Sequence, residues 1–363
     1  MDLIVPKYFV FMLVIWIILV LSMNFGFKQL HDAQQENKSL RRFNRKIENM
    51  VRQIEEKPTN PNVIKKWTQL SSQYNDNRWK NAHCASCEYT DNVTEADFVF
   101  AHPHKTRIKR QCKSQKWIAQ FWESDGKYPS IGNEPFDFSR SYRADATFSY
   151  YTMMTDTFKP KNIAEVVPYK VKKKNKQVMS SWISNCNFMV GARKRMKMLK
   201  RLEKKGVSYA SYGKCDRDHN TGEILPYVNI QIQKWDTDKT KNWVQSGAQK
   251  MAHAAQYLFM FAAENDNSPY YHTEKIFHAL MSGSVPIYWG HKTIYEYIPE
   301  HSMIFADDYG DNLANYILKV AENETLYNSY LAWRSKPLPV KMLEKINYHP
   351  PSECDICNFL IKS

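Results

Sequence analysis

The sequence has no zinc-finger spacing, no RNA-recognition signature and no GxxG loop, although it carries 51 Lys and Arg against 37 Asp and Glu, a formal net charge of +14. So basic a chain would ordinarily suggest nucleic-acid binding, but here that reading has no recognition element. Long apolar runs are also scarce. The longest, Tyr8 to Met23, is sixteen residues with Ser22 as its polar interruption, and Phe25 and Phe27 lengthen it. That is slightly short of the roughly 20 residues that span a bilayer. No small-x-small cleavage site follows; Met23, Asn24 and Phe25 stand there, which argues against a cleaved signal peptide. The expectation is an uncleaved signal anchor over residues 8–27, after a cytoplasmic tail of residues 1–7. With 363 residues and 43% hydrophobic content, what remains has room for about two packed domains.

Flanking charge does not orient the anchor. Lys7 is offset by Asp2, and Arg41, Arg42, Arg45 and Lys46 beyond it would alone favour the reverse topology. The sequons at Asn37, Asn92 and Asn323 point the other way, since such sites are glycosylated only in a secretory lumen. Seven cysteines agree with an oxidising compartment. The body of the chain is therefore expected to be lumenal. In the stem, residues 28–60, Leu40, Phe43, Ile47, Met50 and Ile54 form a short heptad seam, and Pro58 and Pro61 end it. A solvated stem helix and a coiled coil that would make a homodimer are both compatible with two heptads.

Tyr257 to Gly290 is the most informative stretch. The apolar run Tyr257 to Ala263 breaks into Glu264-Asn265-Asp266-Asn267-Ser268-Pro269; Thr273 then caps a helix with Ile276, Phe277, Ala279 and Leu280 on one side. Gly283 closes that helix, and Ser284 to Trp289 is a second strand. This is a βαβ unit of a parallel sheet, and such sheets bind ligands at the carboxyl ends of their strands. Glu264, Asn265, Tyr271, Glu274 and Lys275 would gather there. Glu264-Asn265, Tyr271-His272-Thr273-Glu274-Lys275 and Val285-Pro286-Ile287 together resemble the donor-binding motif of the α1,3-fucosyltransferases, the GT10 glycosyltransferases. Two positions depart from that pattern: Ala263 replaces an aromatic residue, and His272 an apolar one.

A second segment points to the same chemistry. Gln177 to Ser184 reads as a strand, followed by a loop through Asn185 to Gly191 and a helix from Ala192 to Lys205. Free backbone N–H groups at such a helix start bind anions. Arg193 and Arg195 oppose the helix dipole there, and a diphosphate, which guanidinium groups grip in pairs, would justify them. Ser184-Asn185 with Ala192-Arg193-Lys194-Arg195, then a strand from Gly206 to Tyr212, is similar to the family pattern. A nucleotide diphosphate and a membrane surface also account for the basic runs Lys172 to Lys176 and Arg193 to Lys205.

Upstream, Ala96 to His102 and Lys116 to Trp122 read as buried strands, and Glu123 follows the second, where a carboxylate is a candidate general base. Glu123-Ser124 resembles the family's E-S-P segment, whose Glu is the proposed base, although Asp125 replaces the Pro. Ser141-Tyr142-Arg143-Ala144-Asp145 resembles S-Y-R-R-D, so Tyr142, Arg143 and Asp145 would shape the acceptor cleft. Asp236-Thr237-Asp238 has the form of a metal-chelating motif but sits among Lys234, Lys239 and Lys241 without a preceding apolar strand, so it is read as ion-paired. Cys84-x-x-Cys87 and Cys354-x-x-Cys357 have the ligand count of a zinc site, but in a lumenal chain disulfides are the expected use. No metal ligand set is assigned.

The resemblance, over residues 84 to 357, implies a GT-B fold: two Rossmann-like domains facing a cleft, the first (61–170) binding acceptor and the second (171–345) binding GDP-fucose, with a C-terminal tail (346–363) carrying CxxC. It implies inverting transfer of fucose from GDP-β-L-fucose to a GlcNAc hydroxyl in α1,3 linkage, by a Golgi type II membrane protein. No tightly bound cofactor is expected, and stimulation by a divalent cation such as Mn stays open. Family members pair a terminal C-x-x-C with cysteines near the start of the body, so Cys84 and Cys87 are expected to bridge to Cys354 and Cys357, in an order the sequence does not fix. Cys186 and Cys215 follow successive parallel strands and are expected to pair, leaving Cys112 free or linked to another subunit. A catalytically inactive glycan-binding or structural protein of the same fold is the alternative; retention of Glu123, Glu274 and Lys275 argues against it.

Overall fold

The computed structural model describes residues 64–70, 78–102, 110, 112–124, 136–144, 146–149, 158, 163, 165–219 and 242–363. The expected tail, anchor and stem (residues 1–60, with Asn37), Asp145 and the Asp236-Thr237-Asp238 motif lie outside these residues. Among the described residues no helix is long and apolar enough to cross a membrane. Residues 65–354 form one compact unit, and of a second unit residues 64 and 355–363 are described.

The larger unit contains two parallel sheets. The first has strands β1 (Lys65–Leu70), β2 (Cys87–Tyr89), β3 (Phe98–Ala101), β4 (Lys116–Gln120), β5 (Phe138–Ser141) and β6 (Phe148–Ser149), in the order β2-β1-β3-β4-β5-β6. All of β3 and nearly all of β4 are buried, the pattern of parallel strands covered on both faces. The second sheet has β7 (Met179–Ser181), β8 (Tyr209–Ser211), β9 (Phe259–Ala263), β10 (Val285–Trp289) and β11 (Ile304–Phe305), in the order β11-β10-β9-β7-β8.

The helices used below are α1 (Tyr169–Lys172), α2 (Val190–Lys204), α3 (Asn242–Ala254), α4 (Glu274–Ser282), α5 (Leu313–Ala321), α6 (Glu324–Ser329), α7 (Val340–Ile346) and α8 (Glu353–Lys362). Met260 and Ala262 of β9 join one apolar cluster with Ile276, Phe277 and Leu280 of α4, whereas Phe259, Phe261 and Ala263 join another with Leu199 and Leu202 of α2. The two-residue period of a strand thus puts α4 and α2 on opposite faces of the sheet. The chain leaves β7 toward one face and β9 toward the other, and adjacent strands that part in this way open a crevice at their carboxyl ends. Full burial of Ile276, Phe277 and Leu280 stabilises α4 by about 1.5–3 kcal/mol per side chain. At its end Gly283 takes φ 76°, a left-handed conformation natural to glycine.

Several elements differ from the sequence expectation. The strands expected over Gln177–Ser184, Gly206–Tyr212 and Lys116–Trp122 are shorter, because only the residues that meet a neighbouring strand form a ladder. Glu123 consequently sits in a loop, beyond the end of β4. Helix α2 starts at Val190, taking in Gly191. Helix α3, which the sequence reading did not identify, precedes β9. The C-terminal segment expected as a tail holds α8, in which Ile356, Cys357 and Leu360 are buried.

Cys84 bonds to Cys354 (Cα–Cα 5.3 Å) and Cys186 to Cys215 (Cα–Cα 5.7 Å). Cys87 and, in α8, Cys357 are disulfide-bonded as well. Cys112 is an exposed free thiol. Asn92 and Asn323 are both exposed, and the Asn323 side chain accepts from the Leu326 amide as the N-cap of α6.

Candidate functional site

Glu264, the first residue after β9, has no solvent exposure and organises the loop that follows. Its carboxylate accepts from the Thr273 amide (2.8 Å) and the Thr273 hydroxyl (2.7 Å), and lies 3.1 Å from the Lys275 ammonium. Thr273 occupies the N-cap of α4 as expected, but its own side chain makes no capping bond to the helix. The hydroxyl instead donates to Glu264 and accepts from Lys275 at 2.6 Å. The helix start is thereby clamped to the end of a central strand, with negative charge where the helix dipole favours it.

Arg195, only 3% exposed, joins the other side of the crevice. Its guanidinium donates to the carbonyl of Ala263, at the end of β9, and to that of Asn185, in the loop after β7, each at 3.0 Å. The Arg195 Nε is buried without a hydrogen-bond partner among the described residues, as is Asn265 Oδ1. The Asn265 carbonyl packs against Gly191 so closely that a Cβ there would collide with it, so the start of α2 requires glycine. Asn185 accepts from the Phe188 amide at 3.1 Å. Arg193 lies apart: it is exposed, and donates to the Asn187 carbonyl at 2.8 Å.

The two sheets meet at Glu123. The Tyr271 hydroxyl donates to Glu123 Oε2 at 3.1 Å. The Tyr271 ring makes an edge contact with Tyr142 (centroids 5.2 Å apart), which in turn meets Phe121 edge-on at 6.3 Å. Such pairs add about 0.5–1.5 kcal/mol beyond the area they bury. Burial, followed by the nearby Glu123, Glu264 and Glu274, raises the Tyr271 phenol well above its ordinary value, so it remains a donor. Arg143 follows Tyr142 half-buried, its amide donating to Ser141 Oγ at 3.3 Å.

Glu274 lies between two ammonium groups, Lys275 at 3.5 Å and Lys250 of α3 at 3.9 Å. Burial alone would raise its carboxyl, but these cations hold it below the usual carboxylate range. Burial likewise pulls Lys275 down, and Glu264 and Glu274 outweigh that and raise it. Lys250 escaped the sequence reading; the apolar Met251, Ala252, Ala254 and Ala255 ahead of β9 were the available sign of its helix. His272, one of the two departures from the pattern noted in the sequence, sits between the Tyr288 hydroxyl (3.2 Å) and Thr293 Oγ1 (3.0 Å). Burial, then His291, pushes it down to about 3, so it is a neutral member of this network. Among the described residues no three His, Cys, Asp or Glu side chains converge as a metal site.

The chain is 31% identical over 232 residues to alpha-(1,3)-fucosyltransferase B of Drosophila melanogaster, covering 60% of this chain and 48% of that protein. It is 32% identical over 131 residues to an alpha-(1,4)-fucosyltransferase of Arabidopsis thaliana, covering 35% of this chain and 31% of that one. The chain thus spans at most about half the length of these curated relatives. A crystal structure of an alpha1,3-fucosyltransferase superposes with a TM-score of 0.51 at 15% identity, covering 85% of this chain and 93% of the other, a likeness of fold. Residues 171–363, more than half of the sequence and all of the crevice built on β7, β9 and α4, match the profile "Glycosyltransferase family 10 (fucosyltransferase) C-term", and the chain belongs to that family.

Proposed function

We propose that the chain transfers L-fucose from GDP-β-L-fucose to a GlcNAc hydroxyl of a glycan in α1,3 linkage, with inversion at the fucose anomeric carbon. The observation that carries this reading is the hydrogen bond from Tyr271 to Glu123 at 3.1 Å, which joins a candidate base to the motif around Glu264 and Lys275. In this reading the two sheets are the halves of a GT-B enzyme, the first serving the acceptor and the second the donor. Glu123 takes the proton of the acceptor hydroxyl as that oxygen bonds to the fucose anomeric carbon. The bond from that carbon to the diphosphate oxygen breaks on the opposite face, and GDP leaves with the electron pair.

Lys275 and Arg195 offset the charge that develops on the leaving diphosphate, an effect worth most in a buried, pre-arranged site. Arg195 also fixes the ends of β7 and β9 relative to each other, and Arg193, on the exposed side, acts on the donor from solvent. Asn265 Oδ1 is an acceptor available to a sugar or base N–H or O–H. Tyr142 and Arg143 bound the acceptor side. The type II Golgi topology, with a lumenal body, is supported by the sequons and by the disulfides.

Glu123→Gln tests the reading, since it removes the base without changing volume. Transfer by the full chain is expected to fall by about 10²–10⁴-fold, the usual worth of general-base catalysis, while GDP binding is kept. A variant retaining more than about a tenth of the parent kcat would move the base elsewhere. A glycan array presented with GDP-fucose identifies the acceptor, and an absence of both transfer and donor hydrolysis would favour an inactive glycan-binding protein.

A further inference from the structure

Lys250 stands in the middle of α3, outside every sequence motif described above, yet its ammonium lies 3.9 Å from Glu274 Oε1 with only 12% of the side chain exposed. The charged groups that face it come from three further elements: Glu274 and Lys275 at the start of α4, Glu264 at the end of β9, and Arg195 on α2. His278, one turn along α4, is held neutral by burial, pushed down to about 3. His253, one turn along α3, packs on the rings of Trp182 and Tyr212. The described cluster therefore contains three cations, Arg195, Lys250 and Lys275, against two carboxylates, Glu264 and Glu274.

A positive charge left over in a buried site is costly unless an anion meets it. Glu264 pairs with Lys275, and Glu274 is shared between Lys275 and Lys250, so the two carboxylates leave one positive charge of the cluster unmatched. Resting on the donor-site reading above, we propose that Lys250 is a positioning residue of the donor site: it holds the Glu274 carboxylate and keeps the cluster net positive toward the diphosphate of the nucleotide. Burial of the ammonium, against the opposing pull of Glu274, lowers Lys250 to about 8. The excess charge is thus present at neutral pH and disappears as the pH rises through that value.

The test is calorimetric titration of GDP into the full chain, in detergent, between about pH 7 and pH 9.5. The second ionisation of a phosphate group, near 6, lies below this window. Affinity of the parent chain is expected to fall about tenfold across it. Lys250→Arg is expected to bind as the parent does at pH 7 and to lose the fall, since a guanidinium stays protonated. Lys250→Met is expected to bind about tenfold more weakly at pH 7, with a flat profile. A folded Lys250→Met chain with the parent's affinity and pH profile would overturn the proposal while leaving the donor site intact. Should that variant fail to fold, an unchanged pH profile in Lys250→Arg overturns it equally. A parent chain that does not bind GDP at any pH would instead refute the donor-site reading itself.

Discussion

Replacing Glu264 by Gln exchanges one oxygen for an NH2 group, but does so on a carboxylate without solvent exposure that accepts two hydrogen bonds from Thr273 and faces the Lys275 ammonium at 3.1 Å. The amide retains one acceptor oxygen, and it turns N–H donors toward a hydroxyl and an ammonium that also donate. Lys275 is left with Glu274 as its carboxylate neighbour. Breaking a buried ion pair by removing one partner costs about 3–5 kcal/mol. At about 2–4 °C of Tm per kcal/mol for a domain of this general size, Glu264→Gln is expected to lower Tm by roughly 6–20 °C. Thermal and urea unfolding of the full chain measure this. The stronger check is a double-mutant cycle with Lys275→Met, which removes the stranded charge. The second substitution should cost about 1–3 kcal/mol less in the Glu264→Gln background than in the parent. A Tm within about 2 °C of the parent, or strict additivity, would refute the view of Glu264 as the residue that holds Lys275 and the start of α4 in place.

Lys172 is buried in α1, donating to the Gly283 carbonyl at 2.6 Å and the Tyr327 hydroxyl at 3.1 Å; burial, then Arg334, lowers it to about 7. The unfolded chain therefore binds the extra proton between about pH 7 and 10.5, and stability should rise with pH across that window as the penalty for the buried charge disappears. Lys172→Met is expected to flatten the slope of unfolding free energy against pH there, and a slope equal to the parent's would count against the assignment. Non-reducing peptide mapping should recover Cys84–Cys354 and Cys186–Cys215, and a Cys84–Cys87 peptide closed on itself would contradict the staple. Losing the Cys84–Cys354 bond, which closes a separation of 270 residues, should cost about 2–5 kcal/mol in unfolding experiments on a Cys84→Ser, Cys354→Ser chain.

Local chemistry was enough to read the unit from Tyr257 to Gly290. An apolar run, a break of loop-forming residues, an N-cap, a helical stripe and a glycine at left-handed φ follow one another within a single stretch, and β9, α4 and β10 appear in that order. Cys186 and Cys215 were legible for the same reason, since each follows a strand in one βαβ unit. What the sequence did not determine lies between segments that only the tertiary structure brings together. Tyr271 and Glu123 are 148 residues apart and lie in loops that follow strands of different sheets. Arg195 was placed in the right helix but in its first turn, whereas it lies in the second turn from Val190, and its splay between the Ala263 and Asn185 carbonyls depends on β7 and β9 lying side by side. Lys250 carries no local mark at all, because a lysine in a short helix looks the same whether it faces water or a buried carboxylate. Periodicity and caps are properties of neighbours along the chain, whereas burial and charge pairing are set by which elements pack together, and the packing of α3 and α4 beside β9 decided both.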